Sequence, residues 1–497
     1  MSAERRADAG EPRTRRARPR GPRAARSFAA TFGIVAAVLA GVALVGAAAT
    51  NLQGPRVTDT HVDPDAAVSA SGSRIIFTTT QSLDEVTPEQ VTVTPAVDFT
   101  VDTSGRSVGL RFALPLWDDT DYTVRIDDVT GLGGGPASTI EHSFTTPPLD
   151  VYILQRGSDG DTVFRTDLAG DAAVAVFTHP HIEDFRATAS HLVMATVDDD
   201  GHSALIVTGL DGADERPLPL PGDGVVGDLQ SADRGDLIGY TFTDADIGAD
   251  SGRESALFTA SLADAAADAE PRAIERPGGD SRVGDWRFVP DTDAILMLTF
   301  DDALTLVTAP APGAADGAVS DPVAPSDPVA LGSAVSIDSI ARGSSVAVVE
   351  RVTGPVAIDL ATAEEEPLVA TAPEHGQAWS TLALADGSTL RAMSVLDADG
   401  ITVERTAVAL VAAEGGDEVR TVFDVAESDA LLQLCLSPSN RYAALLVAPS
   451  IVDNPYDGYV LPLPERVQTH VVDLSTGEEV VALRGFDISW CQTGPRG

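Results

Sequence analysis

Six times after Ile182 the chain repeats one local pattern: a short apolar strand, a tight turn and an apolar strand returning. The units begin near Ile182, Val225, Val283, Val335, Trp379 and Leu431, so successive starts are 43, 58, 52, 44 and 52 residues apart. The fullest copy runs Leu434-Cys435-Leu436-Ser437-Pro438-Ser439-Asn440-Arg441-Tyr442-Ala443-Ala444-Leu445. It continues into Thr469–Glu479, and Trp286–Asp293 repeats the same turn chemistry. A unit of this size cannot bury its apolar face alone, so the repeats must stack on one another. That excludes a single conventional core for this half of the chain.

The repeats resemble the TolB-type and WD40-like β-propellers of bacterial envelopes, over about Leu149–Cys491. No Gly-His…Trp-Asp signature is present. Val151–Phe177 supplies outer strands without an innermost one, and Phe486–Trp490 reads as an innermost strand with nothing after it. Joined, the two make a seventh blade that closes the ring and shelters its edges. The resemblance places the propeller at residues 149–497.

Residues 66–148 carry a different rhythm, with short strands of period two separated by turns. Strand candidates are Arg74–Thr78, Gln90–Pro95, Val97–Val101, Ser107–Leu114, Tyr122–Ile126 and Ser143–Thr145. The turn formers Asp102–Gly105 and Gly131–Pro136 lie between them. Such spacing predicts a β-sandwich. The pieces Ile75–Thr78, Ser82–Asp84, Val91–Pro95, Tyr122–Val124 and Phe144–Thr146 resemble the bacterial Ig-like domain of the S-layer (SbsA) type. That resemblance implies a spacer or adhesive module.

Ahead of both lies Phe28–Ala49, 22 residues without charge or proline. At about 1.5 Å per helical residue it is long enough for a hydrocarbon core of about 30 Å. Nine arginines stand between Arg5 and Arg26, against three acids, and basic flanks stay cytoplasmic. The expected order is therefore a basic cytoplasmic tail (1–27), a transmembrane helix (28–49), a linker (50–65), the sandwich and the propeller. This is a single-pass protein of the cell membrane with its bulk extracytoplasmic. A cleaved signal peptide is the rival reading, because Ala47-Ala48-Ala49 offers a cleavage site. The length of the apolar run favours retention. The fold class is then an all-β ectodomain, Ig-like sandwich plus a propeller of seven blades, behind one transmembrane helix.

Composition narrows the partners. The formal charge is −42; the tail up to Arg26 contributes +6, leaving −48 for the rest. A surface that acidic repels nucleic acid and anionic lipid. No lysine occurs, so all 33 basic residues are arginine.

Most motif matches have bland explanations. Gly105-Arg106-Ser107-Val108-Gly109 fits the nucleophile-elbow pattern but sits in a predicted hairpin, without the helix an elbow needs. Asp198–Gly201 and Asp397–Gly400 lack the spacing and terminal Glu of a calcium loop and read as turns. His179 and His181 have no third ligand in sight. No cofactor, metal or catalytic residue is expected. Asp453–Glu465 is the most unusual loop: Asp453, Asn454, Tyr456, Asp457 and Tyr459 combine stacking and hydrogen-bonding groups, and are the candidates for recognition. The competing reading is a blade connection stiffened by proline. Cys435 falls on the expected innermost strand of the sixth blade and Cys491 directly follows that of the seventh, neighbours around the ring, and an oxidising compartment would join them. Two unpaired buried thiols are the alternative.

The functional expectation is a non-catalytic envelope binding or scaffold protein, its partner an envelope protein or a cell-wall polymer. A carbohydrate-active lyase or hydrolase using propeller carboxylates is the alternative. A central pocket with convergent, perturbed carboxylates would favour the enzyme.

Overall fold

The computed structural model describes residues 30–42, 54–170, 173–198, 201–248, 251–276, 278–308, 327–400, 402–413 and 418–495. Residues 30–42 form a helix, exposed throughout. The rest of the expected span 28–49, the basic tail and residues 199 and 200 of the first Asp-rich turn lie outside the described residues. No described helix is long and apolar enough to cross a membrane.

Residues 57–145 fold into two sheets closing on one core. Seven strands run in chain order: β1 (Val57–Val62), β2 (Arg74–Thr79), β3 (Val91–Thr94), β4 (Phe99–Ser104), β5 (Ser107–Phe112), β6 (Asp121–Val129) and β7 (Ser138–Thr145). One sheet has the order β1-β2-β5-β4, the other β3-β6-β7. Period-two alternation turns Phe77, Leu110, Phe112, Tyr122, Val124 and Ile126 inward, where they are fully buried. Burying each such side chain contributes about 1.5–3 kcal/mol. The Tyr122 hydroxyl accepts a hydrogen bond from Trp117 N at 2.9 Å. Burial raises this phenol above its ordinary value.

One expectation needs correction here. The expected linker 50–65 includes Val57–Val62, which instead forms the edge strand β1. Its polar VTDTHV sequence leaves most positions exposed, so it carries no core alternation to read. Edge strands are often polar for this reason.

The remaining strands make seven blades. Blades 1 to 6 are four-stranded and antiparallel, their innermost strands being Ile182–Ala187, Gly224–Ser231, Val283–Phe288, Ser336–Ile340, Gln377–Ala383 and Ala430–Leu436. Blade 7 has the strands Asp150–Gln155, Asp161–Asp167 and Val174–His179, and residues 486–490 complete it. Across that seam Leu154 N donates to Phe486 O at 3.0 Å, Phe486 N to Leu154 O at 2.9 Å and Ser489 N to Tyr152 O at 2.9 Å. The expected strand Phe486–Trp490 is thus only partly regular. Asp487 has φ 55°, which lifts it out of the pairing.

Adjacent blades pack by shape as well as apolarity. Trp286 of blade 3 is fully buried, and a Cβ at Gly239 of blade 2 would come within 2.4 Å of its ring. Only glycine leaves that room. The Cys435–Cys491 disulfide is present, with Cα atoms 5.4 Å apart. It ties blade 6 to the closing segment of blade 7.

Antiparallel connectivity gives the ring two unlike faces. The turns from innermost to second strand lie on the proximal face, where the two-sheet unit docks. Arg441 is the main bolt. It donates to Asp118 O at 2.9 Å and pairs with Asp118 at 3.2 Å and Asp473 at 3.1 Å. The Tyr442 hydroxyl also donates to Asp118, at 3.0 Å. Ser71 reaches Asp291 on another blade. Arg342 closes the proximal end of the central channel. From blade 4 it bonds Asp233 of blade 2, Leu436 O of blade 6 and Trp490 O of blade 7.

Two outcomes follow. Replacing both cysteines by serine should lower stability by about 4 kcal/mol, from the chain entropy of a loop of separation 56. Denaturant titration measures this, and an unchanged midpoint would mean the bond fastens nothing. Arg441→Ala should cost about 2 kcal/mol, because Asp118 then keeps only the Tyr442 hydroxyl among these side chains. At Asp473 burial pushes the carboxyl up, but hydrogen bonds from Ser475 and Arg441 outweigh it and hold the group below its ordinary value. The unfolded chain therefore binds this proton first. The contribution is complete above the ordinary carboxylate pKa of about 4 and is lost as pH falls below it. Asp473→Asn should flatten that acid limb of the stability–pH curve; an unchanged limb would contradict the assignment.

Candidate functional site

The distal face carries the turns between second and third strands and the connections from blade to blade. Its largest feature is the loop 449–467 of blade 6. It folds as a strap rather than a free excursion. Asn454, almost fully buried, clamps its base: the side-chain amide donates to Pro449 O and Arg466 O, and Arg466 N donates back at 3.0 Å. Pro455, Pro462 and Pro464 restrict the backbone between, in keeping with the fixed φ of proline. Asp457 caps the inside of the strap, accepting from Tyr459 N and Leu463 N, and its other oxygen takes Arg156 at 2.7 Å.

The strap then crosses blade 7. The Tyr459 hydroxyl donates to Asp161 at 2.8 and 2.9 Å, and its ring lies 3.8 Å from the Arg156 guanidinium and 4.2 Å from the His181 ring. Burial, reinforced by the Asp161 carboxylate, pushes this phenol above its ordinary value. The tip is latched to blade 1: Val460 N and Leu461 N donate to the two oxygens of Glu183, at 2.9 and 3.1 Å. His181 Nε2 lies 2.6 Å from the same carboxylate.

Two cavities flank the strap. One, about 570 Å³, is the distal mouth of the central channel. Asp184, Asp228, Asp285 and Asp302 line it with a single arginine, Arg287, and with Phe300, Val335 and Leu461. Thr493–Pro495 also line it, because the chain runs into the channel after Cys491. The other cavity, about 330 Å³, lies between strap and blade 7, beside Arg156, Tyr459, Arg484 and Phe486.

Beneath the mouth the carboxylates have structural work. Arg186, almost fully buried, sits between Asp184 and Asp487, 3.1 Å from the latter. Gln433 donates to Asp487 at 3.0 Å and to Thr493 O at 2.6 Å. Burial drives the Asp184 carboxyl well above its ordinary value; Arg186 opposes that rise and Asp487 adds to it. Arg287 repeats the pattern with Asp285, two residues before it, and Asp285 also accepts from Ile337 N. These are paired charges that hold neighbouring innermost strands in register.

A further regularity lies in those strands. Pairing with the second strand slips between Ile182 and Asp184, Val283 and Asp285, Ile337 and Ser339, Ala378 and Ser380, and Leu431 and Gln433, and between Gly227 and Gln230. Every innermost strand of blades 1 to 6 thus has a bulge, close to the distal end in blades 1, 3, 5 and 6, and a bulge re-aims a side chain. In blade 1 the bulged residue is Glu183, the latch. In blade 5 it is Trp379, which is 48% exposed.

Of the residues the sequence singled out, the structure brings Asn454, Asp457 and Tyr459 together inside the strap, as its internal bonds. Tyr456 stays 55% exposed and is available to a partner. Asp453 lies in a short 3-10 turn whose carbonyl accepts from Arg466. Glu183, Asp161 and Arg156 were not singled out. The only sequence signal for Glu183 was the column of bulged residues, visible after alignment of the six innermost strands; Asp161 and Arg156, in blade 7 outside its innermost strand, carried none. Gly105–Gly109 lies in the β4–β5 hairpin, and Asp397–Gly400 makes a hairpin turn. Among the described residues no three side chains are grouped to hold a metal ion.

No family model matches the chain, and no curated protein matches it. Among solved structures it is similar to a putative TolB from Agrobacterium tumefaciens, at 13% identity over 68% of this chain and 90% of that one, TM-score 0.33. It is also similar to an uncharacterized protein from Listeria monocytogenes, at 8% identity over 67% and 91%, TM-score 0.41. A third is the acylaminoacyl peptidase of Pyrococcus horikoshii, at 8% identity over 66% of this chain and 50% of that one, TM-score 0.41. At these scores the likenesses decide nothing about function.

The strap yields a prediction that separates its two tyrosines. Tyr459→Phe should cost about 2 kcal/mol, because a fully buried Asp161 loses its phenol donor. Tyr456→Ala should change stability by less than about 0.5 kcal/mol. Equal losses in a denaturant titration would mean the strap is not braced as described.

Proposed function

We propose that the protein is a non-catalytic binding or scaffold component of the cell envelope, anchored in the membrane, with the two-sheet unit as an Ig-like stalk and the distal face of the propeller as its working surface. The observation that carries this reading is where apolar surface is left uncovered. Outside the helix 30–42, sixteen large hydrophobic side chains stand exposed among the described residues, and eleven of them lie on the distal face. Among them are Phe300, Val335, Val352, Trp379, Tyr456 and Leu461. Phe300, Val335 and Leu461 border one cavity, and exposed apolar surface gathered in this way marks interaction sites. On the proximal face the two-sheet unit already occupies blades 3 and 6.

The stalk reading has its own support. The order β1-β2-β5-β4 over β3-β6-β7 is that of a constant-type Ig sandwich, and Tyr122 near the start of its sixth strand bonds back to Trp117 N as a tyrosine corner does. For the anchor, the support is the helix 30–42: Phe32, Ile34, Val35, Val38, Leu39 and Val42 are all exposed on it, and a helix apolar all round needs an apolar surrounding. The partner is an envelope protein or a cell-wall polymer. The central carboxylates favour binding over hydrolysis, since Asp184 and Asp285 are committed to Arg186 and Arg287.

Site-specific photo-crosslinking in cells tests this. A photoreactive residue replacing Trp379 should give discrete adducts. The same residue replacing Val480, exposed on an outer strand of blade 6, should give none. Adducts at 480 but not at 379 would contradict the assignment of the working face.

A further inference from the structure

Resting on that reading of the distal face, we infer that its partner is a polypeptide that inserts one basic side chain, Lys or Arg, into the acidic mouth of the channel while its apolar neighbours pack on the exposed rim. Four aspartates and one arginine line a cavity of about 570 Å³, ample for a guanidinium or ammonium head with its aliphatic stem. Arg287 is paired with Asp285 and Asp184 with Arg186. Four carboxylates stand against one arginine in the lining, and Asp302 is exposed at the opening, so the net field there is negative. Such a field favours a cation and rejects an anionic polymer.

The rim decides between partner classes. Phe300 and Val335 border the cavity on one side and the strap tip Leu461 on another, all exposed. Trp379 stands on the next blade round, held outward by its bulge. An apolar rim around a charged pocket matches a peptide segment with alternating aliphatic and basic side chains. The long stem of Lys or Arg buries apolar surface while its head reaches the carboxylates. Trp and other aromatics commonly supply the strongest contacts in protein interfaces. The chain's own Thr493–Pro495 already lies along the inner wall of this cavity, so the channel accommodates polypeptide.

The test is selection of a random heptapeptide phage library on immobilised full-length protein, followed by anisotropy titration of the selected peptides. Peptides enriched in Arg or Lys beside Leu, Ile or Phe are expected. Their affinity should fall at least tenfold with Trp379→Ala, and at least tenfold with Asp228→Asn combined with Asp302→Asn. Asn tolerates the left-handed backbone of both positions, φ 51° and 61°. Citrulline in place of the peptide's arginine should lose a similar factor. Selected peptides without a basic residue, yet sensitive to Trp379→Ala, would overturn this inference and leave the working face intact. No selected peptide, with purified cell-wall polymer binding in a Trp379-dependent way, would replace the polypeptide by the polymer. Failure of Trp379→Ala to affect any binding would overturn the face itself. Unchanged far-UV circular dichroism of each variant ensures that lost binding is read as lost contact.

Discussion

Seven sheets in a ring must be joined somewhere by residues far apart in sequence, and here everything meets at Asp487. Its carboxylate faces Arg186 of blade 1 and accepts from Gln433 of blade 6, while its own backbone leaves the pairing with blade 7. One side chain therefore links the first blade, the last full blade and the closing segment. Its charge is affordable only because Arg186 is buried with it; removing either partner would strand the other in low dielectric. The disulfide four residues on makes the same junction covalent. Without this seam the strand Asp150–Gln155 would be an open edge.

From the seam follows the difference between the two faces. On the proximal side Arg342 spans the channel and Arg441 bolts the two-sheet unit to blade 6, so both main arginines are consumed in holding parts together. On the distal side the strap leans on blade 7 through Tyr459 and Asp161 and on blade 1 through Glu183. It can do so only because the closed ring places blades 6, 7 and 1 side by side. The strap leaves the channel mouth open beside its tip and the apolar rim uncovered. Architecture and display are thus one arrangement, with a covered face and a bare one.

Much of this was legible in the sequence. The blade starts could be placed because Pro-Ser-Asn-Arg and Pro-Asp-Thr-Asp turns punctuate apolar runs at Pro438 and Pro290, and the broken ends at Val151 and Phe486 implied their own repair. The Cys435–Cys491 pair followed from that register. What was not legible was long-range polar bonding. Asn454, Asp457 and Tyr459 are the residue types of a recognition loop, and nothing local shows that Asp161, some 300 residues earlier, waits for the Tyr459 hydroxyl. Glu183 looked like one acid among 75. The edge strand β1 was hidden because solvent-facing positions impose no alternation. In physical terms, periodicity reports burial, and bonds between distant polar groups leave no periodicity behind.

The central claim is that ring closure at the seam and the posture of the distal strap are coupled. Hydrogen–deuterium exchange of the full-length protein, read at single-residue resolution, tests it most directly. The account predicts slow exchange at Leu154, Phe486, Ser489, Val460 and Leu461, and faster exchange at all five when the Cys435–Cys491 bond is reduced, with the innermost strands of blades 2 to 4 unaffected. Rapid exchange at Phe486 and Ser489 in the oxidised protein, or a strap indifferent to reduction while the seam loosens, would contradict it.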